Sequence, residues 1–335
     1  MKSFIKLLAL CALLALPSRA EAKVKIRVAT QAPKGTVWMK AMADIARSVK
    51  KKTKGGVDIK LYPNGTMGDE KVVKDRIKTG EVDGGLFTGT GLGLIMPKVR
   101  ILELPFIYRN GTEEHNQVRE LLEAEMIEGF ERAGFVFMGW CEVGWGYLFS
   151  KVECPNLAAL QARKCWVWQD DPMAKAAYGV FGLKGVPLAL TDVLQQLDTN
   201  GIDTVYNSPY GLIGLQWHPK VKFMSRITVG HGTGALLLTK KIFKKIPKKY
   251  RKQVLKISRS RCRKLITEIE EENLSSEKEL ERQGMKILPI PKDELPEYER
   301  LGLKLANQMV GKLYPQELLD KVLSYLSEQR KSGGQ

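Results

Sequence analysis

"IKTGEVDGGLF" at residues 77–87 and "LDTNGIDTVYN" at residues 197–207 align without a gap, 120 positions apart. Each stretch ends a helical pattern, turns through Gly80 or Asn200, presents Asp83 or Asp203, and runs into a short apolar strand. Gly and Asn are the residues that most readily take the positive φ at such a turn. The echo has two readings, convergence on common helix-to-strand chemistry or two α/β halves built on one plan.

The surroundings of both stretches repeat the rhythm. Upstream of the first, "KVKIRVAT" (23–30) alternates like a strand. Residues 37–52 follow as a helix with Trp38, Met42, Ile45, Ala46 and Val49 on one side, then a strand at 57–63 and a helix at 69–79. Around the second, the pattern predicts a strand at 164–168, a helix at 171–182, a strand at 185–188, a helix at 191–199 and a strand at 202–207. Strands alternating with helices imply βαβ units and a largely parallel sheet in each half. Two long strand-like stretches, 134–150 and 221–240, are candidates to cross between the halves as hinges. Residues 248–283 read as one long helix, basic in its first half and acidic in its second, against its own dipole. That polarity suggests that its two ends face different surroundings.

The chain has 335 residues, 44% of them hydrophobic, enough for two domains with real cores. Lys2 and Lys6, the apolar run 7–16 and Ala20-Glu21-Ala22 form the pattern of a cleaved secretory signal peptide, residues 1–22. Removing it takes Lys2, Lys6, Arg19 and Glu21 and lowers the formal charge from +17 to +15. An exported protein rarely meets nucleic acid, so the charge points elsewhere. Residues 240–264 hold 13 Lys or Arg and no acid, either a solvated helix face or a surface for anionic lipid or an acidic partner. Cys141, Cys154, Cys165 and Cys262 remain; their spacing is not metal-like, and the sequence leaves their disulfide state open.

Motifs for catalysis are missing. His115 follows two glutamates in a polar helix, His218 precedes a proline and His231 sits between glycines, contexts that favour structural or exposed roles. No HExxH, GxSxG or phosphate loop is present, and "GLFTGTGLG" (85–93) lacks the Lys-Ser/Thr and the glycine order of a nucleotide site. No cofactor and no metal is expected, and the chain reads as a non-enzyme. An exported two-lobed α/β chain of this kind is most economically a solute-binding protein closing on a ligand about a hinge.

Four stretches carry a family resemblance: "ELPFIYRN" (103–110), "NLAALQARKCWVW" (156–168), "PLALTDVLQQLDTNGIDTVYNSP" (187–209) and "GALLLTKKIFKKIPKKYRKQV" (234–254). In this order and spacing, from about Lys23 to about Arg330, the chain resembles the solute-binding subunits of tripartite ATP-independent periplasmic (TRAP) transporters. The resemblance implies an α/β, two-lobed periplasmic binding protein fold with hinge strands and a long helix spanning both lobes. It also implies a periplasmic location and delivery of a small organic ligand to integral-membrane transporter subunits. The lobes are expected at 23–142 plus 227–257, and at 143–226 plus the C-terminal helices 258–330.

The family's usual ligand is a carboxylate held by an arginine in a Lys-Ile-Arg-Val-Pro-like strand. The matching residues here are Lys164-Cys165-Trp166-Val167-Trp168, which puts Trp166 at the arginine position. A second family arginine matches Gly146. Asn207 matches an asparagine often found beside the ligand. Trp166 and Trp168 alternate with Val167 and so share one face of the strand. The ligand-binding residues expected on this basis are Trp166, Asn207, Tyr206, Trp145, Trp168, Phe87 and Trp38, lining a cleft for an aromatic or apolar solute; a monocarboxylate is compatible with them. Asp170 and Asp171 are expected to cap the helix beginning at Pro172. The resemblance is closer to a tryptophan-bearing branch, some of whose members work with tetratricopeptide-repeat partners. Rival readings are an ABC-type receptor, a secreted enzyme, and a lipid- or scaffold-interacting protein acting through 240–264.

Overall fold

The computed structural model describes residues 23–109 and 111–332, so the expected signal peptide lies outside the described residues. The strands are, in chain order, β1 (Val24–Thr30), β2 (Val57–Tyr62), β3 (Gly84–Thr88), β4 (Phe135–Trp140), β5 (Gly144–Ser150), β6 (Lys164–Trp168), β7 (Lys184–Leu188), β8 (Thr204–Asn207), β9 (Phe223–Gly232), β10 (Gly234–Thr239) and β11 (Lys286–Leu288). They form two sheets, ordered β2-β1-β3-β10-β4 and β11-β9-β5-β8-β6-β7.

Both lobes follow one plan. In the first, β1 pairs in parallel with β2 and β3, and β10 pairs antiparallel with β3 and β4. In the second, β6 pairs in parallel with β7 and β8, and β5 pairs antiparallel with β8 and β9. Thus β1, β2, β3, β10 and β4 correspond to β6, β7, β8, β5 and β9, with β11 added on an edge.

The sequence echo becomes a shared hydrogen-bond motif. Gly80 and Asn200 turn at φ 79° and 60°. The Asp83 backbone N–H donates to the Arg27 carbonyl of β1, and its carboxylate accepts from the Arg27 N–H at 2.9 Å. Asp203 repeats this with Lys164 of β6: its N–H donates to the Lys164 carbonyl, and its carboxylate accepts from the Lys164 N–H at 3.1 Å. Each aspartate satisfies the first backbone groups that its neighbouring parallel strand offers beyond the ladder.

The chain crosses between lobes where the two long stretches change sheets. Residues 134–150 divide into β4 of the first sheet and β5 of the second, joined by 141–143; residues 221–240 divide into β9 and β10, joined at Thr233. This moves one expected boundary. Residues 227–232 belong to the second lobe, because β9 keeps pairing with β5 up to Gly232↔Gly144. A third connection is the helix Lys248–Arg282, which packs on the helix Val37–Lys52 and β4 of the first lobe and on the helix Pro209–Gly214 of the second. Its Asn273 accepts from the Tyr210 N–H with one amide atom and donates to the Val143 carbonyl with the other. Its buried stripe is Val254, Ser258, Cys262, Leu265 and Ile269, while most of the 240–264 cations face solvent.

The C-terminal helices pack on both lobes. Leu318, Leu319, Val322 and Leu326 of the helix Gln316–Ser332 join the first lobe's core with Val118, Leu122 and Phe130, whereas Tyr298 and Leu301 of Leu295–Gln308 pack with Phe181 of the second. The apolar face of Gln316–Ser332 is buried where the helix Thr112–Arg132 offers its own. All four cysteines in the described residues are free and buried, with the Sγ atoms of Cys141 and Cys262 3.1 Å apart. No helix among the described residues is long and apolar enough to cross a membrane.

Candidate functional site

Between the lobes lies a cavity of about 250 Å³, near the lower end of the range for small-molecule sites, roughly 300–1,000 Å³. Its walls come from the ends of β1 and β3 in one lobe, β6 and β8 in the other, and the two crossings. Trp166, Trp168, Tyr206, Asn207, Phe87 and Trp38 all line it. The Trp166 and Tyr206 rings stack with centroids 4.6 Å apart, and Trp168 lies 5.9 Å from Trp166. The Trp166 indole N–H donates to the Leu188 carbonyl and the Trp38 indole N–H to the Glu142 carbonyl, so both rings have their polar atom satisfied by backbone. Asn207 Oδ1 accepts from the Ser208 N–H. Cys165 and Val167, on the opposite face of β6, pack with Tyr178, as strand alternation requires.

Trp145 is placed elsewhere. Its neighbours Gly144 and Gly146 line the cavity, but alternation along β5 turns the Trp145 indole to the other face. There it meets Tyr108, His115 and His231 and donates to the Thr112 hydroxyl at 2.9 Å.

The cavity also holds polar residues that sequence reasoning did not single out. Among the described residues, Arg100 is the only cation lining it, and its guanidinium is already engaged. Nη2 lies 2.7 Å from Asp171 Oδ2 and Nη1 lies 2.8 Å from Glu103 Oε2, with every partner buried. Glu103 Oε1 accepts from the N–H of the crossing residue Thr233 at 2.7 Å. Burial pushes the Glu103 carboxyl up to about 6 against the pull of Arg100. Gly230 must be glycine here: its φ is 113°, and a Cβ would lie 2.4 Å from the Glu103 carbonyl oxygen. Just behind the wall, burial pushes the Glu70 carboxyl up to about 8, although it accepts from the Thr88 N–H, the Thr88 hydroxyl and the Gly91 N–H.

Two helix-capping aspartates each reach across the cleft. Asp171 Oδ1 accepts from the Met173 and Ala174 N–H groups, the expected cap, while Oδ2 accepts from Arg100 and from the Thr90 hydroxyl of the other lobe. Asp69 mirrors it. Its Oδ1 accepts from the Glu70 N–H at the start of Glu70–Thr79, and its Oδ2 accepts from the Trp168 indole at 2.8 Å. Asp170 is not the cap; it pairs with Lys71 across the cleft at 3.0 Å. These contacts hold the lobes together over the cavity. The sequence shows the cap at Asp171 but not the second oxygen's partner, which lies 71 residues away for Asp171 and 99 for Asp69.

A profile of bacterial extracellular solute-binding protein family 7 (DctP) matches residues 28–310. A solute-binding protein of Verminephrobacter eiseniae is 20% identical over 252 residues, 74% of each chain. A TRAP periplasmic solute binding protein from Xanthobacter autotrophicus Py2, solved with bound β-D-galacturonate, superposes with a TM-score of 0.82 at 20% identity, covering 89% of this chain and 99% of that one. Another from Desulfovibrio salexigens, with bound orotic acid, also gives 0.82, at 15% identity over 91% and 99%. The two-lobed fold with its cleft, its two strand crossings and its spanning helix, together with a family match over most of its length, makes this chain a member of the TRAP-type extracellular solute-binding proteins, a receptor rather than an enzyme.

Proposed function

We propose that this receptor captures an uncharged aromatic or apolar organic solute in the cleft and presents it to TRAP-type membrane subunits. The observation that carries this reading is the state of Arg100. Among the described residues the one guanidinium on the cavity wall is shared between two buried carboxylates, so they offer no free cation to a ligand carboxylate. Two acids against one base leave the wall net negative, which opposes an anionic ligand. Position 166, where relatives are expected to carry arginine, presents an indole stacked on Tyr206, and position 146 presents bare glycine backbone. Burying one apolar side-chain equivalent contributes roughly 1.5–3 kcal/mol, so contacts with Trp166, Tyr206, Phe87 and Trp168 supply affinity without an ion pair.

In this reading the Asp171–Arg100 and Trp168–Asp69 contacts form as the lobes close and seal the solute from water. A tetratricopeptide-repeat partner, suggested by the tryptophan-bearing branch, is separable from this chemistry and would act outside the cleft. Isothermal calorimetry against a panel of solutes tests the ligand class. Neutral aromatic or apolar compounds are expected to bind with a negative heat-capacity change, and β-D-galacturonate is expected to bind weakly or not at all. Tight binding of uronates with no response to neutral aromatics would overturn the reading.

A further inference from the structure

Against the hinge, next to the cavity but outside the aromatic wall, three buried side chains with metal-ligating atoms converge. His115 comes from the helix Thr112–Arg132, Glu142 from the first crossing, and His231 from the end of β9 beside the second crossing. One ligand atom from each lies within 4.8 Å of the others. His115 Nδ1, Glu142 Oε2 and His231 Nδ1 are all buried without a hydrogen-bond partner. His231 Nδ1 sits 3.5 Å from Glu142 Oε2, and the two imidazoles stack with centroids 3.8 Å apart. Orphaned polar atoms at this depth are costly, roughly 1–3 kcal/mol each, and three in one spot call for a common partner.

We propose that His115, Glu142 and His231 form a binding site for a divalent first-row transition-metal ion, zinc foremost. Two imidazole nitrogens and one carboxylate oxygen are a borderline-soft donor set that suits zinc rather than calcium or magnesium, which prefer oxygen. A tetrahedral zinc ion needs its ligand atoms at about 2.0–2.2 Å, so the two stacked rings must turn their nitrogens toward a common point with the Glu142 carboxylate to bind it. The remaining coordination position falls to water.

The surroundings fit this role. Stacked imidazoles at this distance require at least one neutral ring, and a neutral imidazole has a nitrogen lone pair to offer a metal. The Thr233 hydroxyl lies 3.5 Å from His115 Nε2, the other ring nitrogen, where an outer partner fixes the tautomer. Arg119 Nη1 holds Glu142 Oε1 at 2.6 Å, which orients the carboxylate and leaves Oε2 for the metal. Its positive charge opposes the ion and limits affinity, which marks the site as one of moderate strength. His231 is among the residues lining the cavity, so the site adjoins the cleft. Because the ligands come from both crossings and from a first-lobe helix, a bound ion would tie the two hinge strands to that helix.

The site is independent of the ligand reading, and its test is too. Untagged protein is stripped with a chelator, dialysed against zinc chloride and assayed by mass spectrometry of the metal. One zinc per chain is expected at micromolar free metal, with a raised melting temperature. His115→Ala and His231→Ala are each expected to weaken binding by more than the roughly 10–100-fold typical of outer-shell partners. Two readouts need no disruptive variant. Cobalt(II) should give the intense visible bands of four-coordinate geometry. Copper(II) should quench a component of tryptophan fluorescence that disappears in Trp145→Phe, since Trp145 lies 5.1 Å from His231. Failure of the wild-type protein to take up stoichiometric zinc would overturn the proposal. So would undiminished zinc binding in the His115→Ala/His231→Ala double variant.

Discussion

Replacing Arg100 with methionine is expected to destabilise the protein by about 3–5 kcal/mol near neutral pH, the range for removing one partner from a buried ion pair. Among the described residues the guanidinium is the only neutralising charge for Asp171 and Glu103 in that part of the cavity wall, and all three are buried. Without it the two carboxylates face each other with no counter-charge, so at least one must take up a proton. Glu103, pushed up to about 6 even with Arg100 beside it, would titrate higher without that charge. The resulting destabilisation is absent below the unfolded carboxylate range near pH 4 and grows as pH rises toward neutral, so the deficit should shrink on acidification. The double variant Arg100→Met/Asp171→Asn should recover part of the loss, because it removes one of the stranded charges. Urea unfolding of the three proteins from pH 4.5 to 8 measures this directly. A loss under 1 kcal/mol that does not vary with pH would mean that Arg100 does not hold the two lobes' carboxylates together.

Trp166→Ala is expected to act twice. The ring is 1% exposed and meets Trp217 edge-on at 5.3 Å on its core side and Tyr206 at 4.6 Å beside the cavity. Truncation should therefore cost about 3–5 kcal/mol of stability, the usual range for a buried Trp or Phe. It should also weaken solute binding about 10- to 100-fold, from the roughly 1.5–3 kcal/mol of apolar contact removed. Thermal melts and calorimetry on the same sample separate the two effects. Trp166→Arg should move preference toward small carboxylates, since it restores a bidentate donor to the wall. Unchanged affinity in a folded Trp166→Ala protein would make the indole a core residue with no part in recognition.

The features that the sequence showed best are those fixed by local chemistry. The repeated turn at 77–87 and 197–207 was visible because Gly80, Asn200, Asp83 and Asp203 do the same local work in both lobes. The long stretches crossing between sheets and the helix at 248–283 were visible through length and periodicity. What stayed hidden depends on contacts made only after folding. Arg100 gave no sign of its role, because its partner Asp171 lies in the other lobe and looked complete as a helix cap. Trp145 is expected at the cleft from the family resemblance, yet strand parity points it elsewhere: Gly146 matches a ligand position, so its strand neighbour must point away. The boundary near 227 failed because the alternation of β9 continues to Gly232 without a local signal. His115, Glu142 and His231 are scattered over 116 positions and converge only when both crossings and the Thr112–Arg132 helix are in place.

Without a free cation on its wall, the cleft is expected to select a solute lacking a carboxylate anchor. Native mass spectrometry of the protein purified from its own periplasm, followed by release and mass analysis of whatever co-purifies, tests it most directly. A single small, uncharged aromatic or apolar compound at one per chain is expected. A co-purifying uronate or dicarboxylate would contradict it.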